Sequence, residues 1–140
     1  MLLVERILAL QATEILKDLP QTGLATLANF SRVVEIAAGE TLFREGETGR
    51  SLYVVVDGEV GVYVGDRQVA KLAAPSVLGE MAALDPEPRS ATVRSLSDTL
   101  LLEISDALLN RIIDDNPDVA RAIIRLLCRR LRDANRRLAG

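Results

Sequence analysis

Gly79, Glu80, Arg89 and Ser90 are the residues whose types and spacing could do chemistry, and all lie in VLGEMAALDPEPRSATV, residues 77–93. Gly79 and Glu80 open a turn of small residues, a proline-bounded loop follows, and Arg89-Ser90-Ala91 leads into a β-like run. A helix start offers unpaired backbone N–H groups and roughly half a positive charge. Gly79, Ala82 and Ala83 are small enough for a ligand to lie against that backbone. Arg89 adds a full charge and the two-pronged donor geometry that phosphate accepts. Glu80 must serve differently, because an ionised carboxylate only accepts hydrogen bonds. Beside an anion it needs a donor, and a ribose hydroxyl supplies one. One sugar and one phosphate fit this set. Without such a ligand the two charges reduce to a surface ion pair on a turn, worth about 0–1 kcal/mol.

Elements of two kinds must hold this stretch. Leu3, Val4, Ile7 and Leu8, then Ile15, Leu16 and Leu19, recur at helical spacing up to Pro20, and Thr22 can cap a further helix with Leu24, Leu27 and Ala28 inward. From Ser31 the chain reads as short strands: 32–36, 41–43, 51–56, 59–64, 67–72, 91–95 and 99–104. Asp57-Gly58 predicts a hairpin turn with positive φ at both residues, and Gly65-Asp66 a second turn of the same kind. Val60, Val62 and Val64 fall on one face at period two. Ser105 and Asp106 begin a helix with Leu108, Leu109, Ile112 and Ile113 inward, and Pro117 starts a long final one.

That final helix has two apolar stripes. Ala120, Ile124, Leu127, Leu131, Ala134 and Leu138 form a coiled-coil-like seam, and Val119, Ile123 and Leu126 form a second. The expectation is that one stripe grips the β-structure and the other meets a twin subunit, making a homodimer; the alternative is that both pack on the chain's own domain or on a neighbouring one. The seven arginines of this helix read as spread around it, which argues against a phosphate-tracking stripe.

Bulk properties narrow the function. With 140 residues, 49% hydrophobic and 26% charged, the chain reads as one soluble domain, residues 1–140. A net charge of −3 does not point to nucleic acid. The absence of histidine removes the commonest base and metal ligand, so neither an enzyme nor a metal site is expected. Asp85 and Glu87 read as loop residues. The single cysteine, Cys128, cannot close an internal disulfide and reads as buried filler. Glu5 and Arg6 interrupt the apolar start, so no signal peptide or membrane span is expected and the location reads as cytoplasmic.

The 77–93 stretch resembles the phosphate-binding cassette of cyclic-nucleotide-binding domains, the family of the bacterial catabolite activator, the regulatory subunits of cyclic-AMP-dependent kinase and nucleotide-gated channels. Gly79, Glu80, Met81, Ala82, Arg89, Ser90 and Ala91 match its pattern position by position, with Leu78 where many members carry Phe. The resemblance implies an α+β, mainly β fold: an antiparallel β-roll or jelly-roll barrel (31–104) holding a short cassette helix, after N-terminal helices (1–30) and before two C-terminal helices (105–140). It implies that Val62, Val69 and Leu72 wall the purine, that Ala134 and Asn135 stand where adenine is touched, and that Arg130 lies near the ligand edge. Ser90 leans toward cyclic AMP without excluding cyclic GMP. The implied function is a cyclic-nucleotide sensor that passes occupancy through the C-terminal helices to an effector protein or adjoining domain, with no cofactor. DNA-reading segments of activator-type members begin beyond this helix, so direct DNA binding by this chain is not expected. The alternative is the same β-roll used as a non-binding dimerisation or docking scaffold.

Overall fold

A computed structural model describes residues 1–139; Gly140, the last residue of the expected C-terminal segment, lies outside them. Helices α1 (Leu3–Gln11) and α2 (Gln21–Phe30) precede strands β1 (Arg32–Ile36), β2 (Thr41–Phe43), β3 (Ser51–Asp57), β4 (Glu59–Val64), β5 (Arg67–Ala73) and β6 (Ser76–Leu78). The short helix α3 (Glu80–Leu84) follows, then β7 (Thr92–Ser95), β8 (Thr99–Ser105), α4 (Asp106–Asp115) and α5 (Pro117–Ala139). The expected order of elements holds throughout, and β6 is an addition to it.

The strands form two antiparallel four-stranded sheets, ordered β1-β8-β3-β6 and β2-β7-β4-β5. Among the described residues no ladder joins the two sheets, so the expected barrel is an open jelly-roll sandwich. The first sheet is covered on both faces, which explains the unbroken apolar run of β3. Leu52 and Val54 of β3 pack with Leu102 and Ile104 of β8 against the helices. Tyr53 and Val55 point the other way, with Val60, Val93 and Leu101, into the space between the sheets. Glu103 of β8 belongs to that inner face too, since it meets Tyr53 there.

Asp57-Gly58 is not a hairpin. β3 and β4 lie in different sheets, and only Gly58 has positive φ, at 95°. The glycine turns the chain from one sheet to the other, where a Cβ would lie 2.5 Å from the Asp98 carbonyl oxygen. Gly65-Asp66 does close a true hairpin, with Val64 opposite Arg67, but again positive φ is confined to the glycine. Val64 is exposed at its tip, so the inward face of β4 is Val60 and Val62.

Three helical expectations change. α1 turns Leu10 and Ile7 inward and leaves Leu3, Val4 and Leu8 exposed, because Arg6 anchors it by donating to the Ala28 and Ser31 carbonyls at 3.3 and 2.8 Å. Ile15, Leu16 and Leu19 are buried from a series of turns, not a helix. Pro20, not Thr22, sits at the N-cap of α2. The start of α4 is as expected: the Ser105 hydroxyl accepts from the Leu108 N–H at 3.2 Å.

α5 presents Val119, Ile123 and Leu126 to the core and leaves Ile124, Leu131 and Leu138 exposed. Cys128 is exposed and not core filler. The arginines are not spread evenly either. In one continuous helix, Arg121, Arg125, Arg129, Arg132 and Arg136 follow at steps of four, four, three and four, which is one face. Arg129 pairs with Glu14 at 2.6 Å and Arg136 with Asp133 at 3.1 Å.

Candidate functional site

The cassette begins where β6 ends against β3, with Leu78 opposite Tyr53. Gly79 then takes φ 73° as the N-cap of α3, a left-handed conformation that other residues adopt at a cost. That turn carries Glu80 inward; its residue is 4% exposed. Ala82 and Ala83 are buried on the same side, while Met81 faces solvent.

The loop after α3 is fastened to the loop after β2. The Arg89 N–H donates to the Glu47 carbonyl, and the Gly46 N–H donates to the Arg89 carbonyl, both at 2.8 Å. These bonds carry the Arg89 side chain into the space between the sheets, where the residue is 5% exposed. Its Nη1 donates to the Ser51 carbonyl at 3.0 Å and to that of Gly79 at 3.5 Å. Its Nε is buried and, among the described residues, without a hydrogen-bond partner. A buried N–H left unpaired costs free energy, and the described residues supply no acceptor for this edge of the guanidinium. Gly49 and Gly79 make room for the guanidinium itself: a Cβ would stand 2.6 Å from Nε at the first and 2.6 Å from Nη1 at the second.

The walls around Arg89 come from strands far from the cassette in sequence. The Phe43 ring lies 4.2 Å from the guanidinium carbon and the Tyr53 ring 5.8 Å. The Tyr53 hydroxyl donates to Glu103 Oε2 at 3.0 Å, and Arg32 Nε donates to Glu103 Oε1 at 2.7 Å. Burial and the neighbouring Glu103 charge push the Tyr53 hydroxyl up to about 12. Burial works to raise the Glu103 carboxyl, but hydrogen bonds from Ser51, Arg32 and Tyr53 outweigh it and hold the group below its ordinary value. Burial lowers Arg89 from its ordinary value, against the opposing pull of Tyr53, Glu103 and Glu47.

Glu80 does not pair with Arg89. Its Oε1 is bonded by Arg130 Nη1 from α5, and Arg130 Nη2 donates to the Val77 carbonyl at 2.5 Å. The surface ion pair considered for Glu80 and Arg89 is therefore absent, and both groups are buried. The structure brings Arg130 to the cassette. Ser90 is exposed at the rim with its hydroxyl 4.0 Å from the Met81 sulfur, and Ala91 is half-buried just before β7.

Val62 and Leu72 line the inner face of the second sheet, with Leu72 opposite Val60. Val69 is the extra residue of a bulge, since Val62 faces Ala70 and Tyr63 faces Gln68. Ala134 and Asn135 are exposed on α5. Ala134 lies four residues, about 6 Å of rise, beyond Arg130 on the same helix face. Two clefts, of about 630 Å³ beside Glu14 and Pro117 and about 210 Å³ beside Arg44 and Arg94, contain none of Gly79, Glu80, Arg89 and Ser90.

Sequence reasoning missed Phe43, Gly49, Tyr53 and Glu103. One signal was available: Glu103 interrupts the apolar run LLLEI of β8, and a carboxylate in such a run needs a donor or a cation.

Residues 33–116, more than half of the chain, match the family described as "Cyclic nucleotide-binding domain". The chain belongs to this family. Among curated relatives, it is 28% identical over 130 residues to the CRP-like cAMP-activated global transcriptional regulator of Mycobacterium tuberculosis, covering 89% of this chain and 58% of that protein. Among solved structures, it superposes on the Thermus thermophilus catabolite activator protein with TM-score 0.79 and 29% identity, over 91% of this chain and 62% of that one. It also superposes on the regulatory domain of Toxoplasma gondii PKA, solved with cAMP, with TM-score 0.73 and 29% identity, over 81% and 45% of the two chains. The chain thus spans less than two thirds of these relatives. Within this cyclic nucleotide-binding domain no helix among the described residues is long and apolar enough to cross a membrane.

Proposed function

We propose that this chain binds cyclic AMP as a sensor domain and is not an enzyme. The observation that carries the reading is the Arg89 Nε, buried beside Gly49 and without a hydrogen-bond partner among the described residues. The phosphodiester accepts from this edge and from the Ser90 hydroxyl. A ribose hydroxyl donates to Glu80 Oε2, the oxygen that Arg130 leaves free. The base lies along Val62, Val69 and Leu72 and is met by Ala134 and Asn135 of α5. The related kinase regulatory domain solved with cAMP supports this choice of nucleotide.

Signal transmission follows from Arg130. It joins α5 to the carboxylate that takes the ribose, so a bound nucleotide and the position of α5 are coupled. Only a difference in affinity between two positions of α5 does work on a partner, typically about 1–3 kcal/mol. Residues 1–140 act in this reading as one domain in the cytoplasm, pairing through the exposed seam of α5 and passing occupancy to an effector protein or domain, without contacting DNA themselves.

Calorimetric titration with cyclic AMP and cyclic GMP tests the proposal. One-to-one binding is expected, tighter for cyclic AMP, with Arg89→Ala losing about 2–5 kcal/mol of binding free energy. Tighter cyclic GMP binding would overturn the nucleotide assignment. No binding of either would leave the β-roll as a dimerisation or docking scaffold.

A further inference from the structure

We infer that Phe43 is a positioning residue of the anion site, acting through Arg89 by holding the guanidinium plane while leaving its N–H edges free; this rests on the nucleotide reading above. The backbone is shaped to put the ring there. β2 pairs with β7 as Thr41 opposite Arg94 and then Phe43 opposite Val93, so Leu42 is an extra residue. Under strict alternation Phe43 would share the side of Thr41 and the exposed Arg94. The bulge instead places it beside the buried Val93, and bulges commonly re-aim side chains next to sites.

The chemistry of the ring suits this role. An aromatic face attracts a cation without taking any of its N–H groups. A carboxylate in the same place would capture those donors, and an aliphatic side chain would leave the guanidinium loose. Tyr53 backs the arrangement: its ring lies 6.0 Å from that of Phe43, and its hydroxyl is tied to Glu103 at 3.0 Å. Among the described residues the Arg89 guanidinium donates only to the carbonyls of Ser51 and Gly79, both from Nη1. An incoming anion therefore meets donors that are already oriented, and preorganisation of this kind raises affinity.

The test is calorimetric titration with cyclic AMP of the parent, of Phe43→Leu, and of proteins carrying mono-, di- and trifluorinated phenylalanine at position 43. Fluorination weakens the negative face of the ring while nearly preserving its shape, so a purely structural role would not respond to it. The expected result is roughly tenfold weaker binding for Phe43→Leu and a graded loss along the fluorinated series, with thermal unfolding of the fluorinated proteins unchanged. Parent-like affinity across that series would overturn the inference. Should the parent bind no cyclic nucleotide, the sensor reading falls, and NMR of the Arg89 Nε–H decides this inference separately. A ring-current shift in the parent that weakens in Phe43→Leu supports it, and an unmoved resonance overturns it.

Discussion

Arg130 of α5 is bonded to Glu80 of the cassette across 50 residues of sequence, while Arg89, nine residues from Glu80, is not. The carboxylate is buried and the Arg130 side chain about one-third exposed, so the pair is anchored on the cassette side and open on the helix side. The pair thereby links α5 directly to the cassette.

Removing Arg130 leaves a buried carboxylate without its cation. Arg130→Met should lower stability by about 1–3 kcal/mol, toward the low end because the pair is partly open to solvent. Adding Glu80→Gln should restore part of that loss. Urea unfolding of the two single variants and the double variant gives the coupling, and additive losses would mean that the pair does not hold α5.

Gly49 and Gly79 separate backbone strain from crowding. Gly79→Ala must adopt φ 73°, which costs about 1–2 kcal/mol, and it also crowds Arg89. Gly49→Ala has no such backbone penalty, but its Cβ would lie 2.6 Å from Arg89 Nε, so the guanidinium must shift. The expected outcome is lower thermal stability for Gly79→Ala only, with weaker cyclic AMP binding for both. Unchanged binding by Gly49→Ala would place the anion elsewhere.

Tyr53 makes stability sensitive to alkali. Its folded value of about 12 lies above the ordinary value near 10, so the fold favours the neutral phenol. That stabilisation is complete below about pH 10 and is lost as pH rises toward 12. With Tyr63 replaced by Phe, Tyr53 is the sole tyrosine, and its absorbance titration should have a midpoint near 12. Tyr53→Phe should remove this part of the alkaline loss in urea unfolding across the same range.

The exposed residues of the α5 seam make the proposed pairing testable apart from Arg89 and Glu80. Ile124 and Leu131 are 59% and 62% exposed, so Ile124→Glu and Leu131→Glu should leave thermal stability within about 0.5 kcal/mol. Sedimentation velocity should show a dimer for the parent and a monomer for the double variant. A monomeric parent would exclude the seam as a self-association surface under those conditions.

What the sequence determined by itself was local. Turn glycines, period-two valines and Ser105 at a helix start set the order of elements, because backbone conformation and side-chain alternation depend on near neighbours. The cassette was legible for the same reason: Gly79 through Ala91 are contiguous, and the resemblance rests on their spacing. Tertiary structure decided what depends on chain segments meeting. Asp57-Gly58 has hairpin composition, yet burial on both faces of β3 draws β4 into the other sheet. Glu80 has Arg89 nine residues away, yet the packing of α5 gives it Arg130 instead. Phe43 and Tyr53 are marked in the sequence only as members of short strands; the bulge at Leu42 and the inward face of β3 bring them to Arg89, because pairing register and sheet packing, which no local pattern contains, decide which distant side chains share a space.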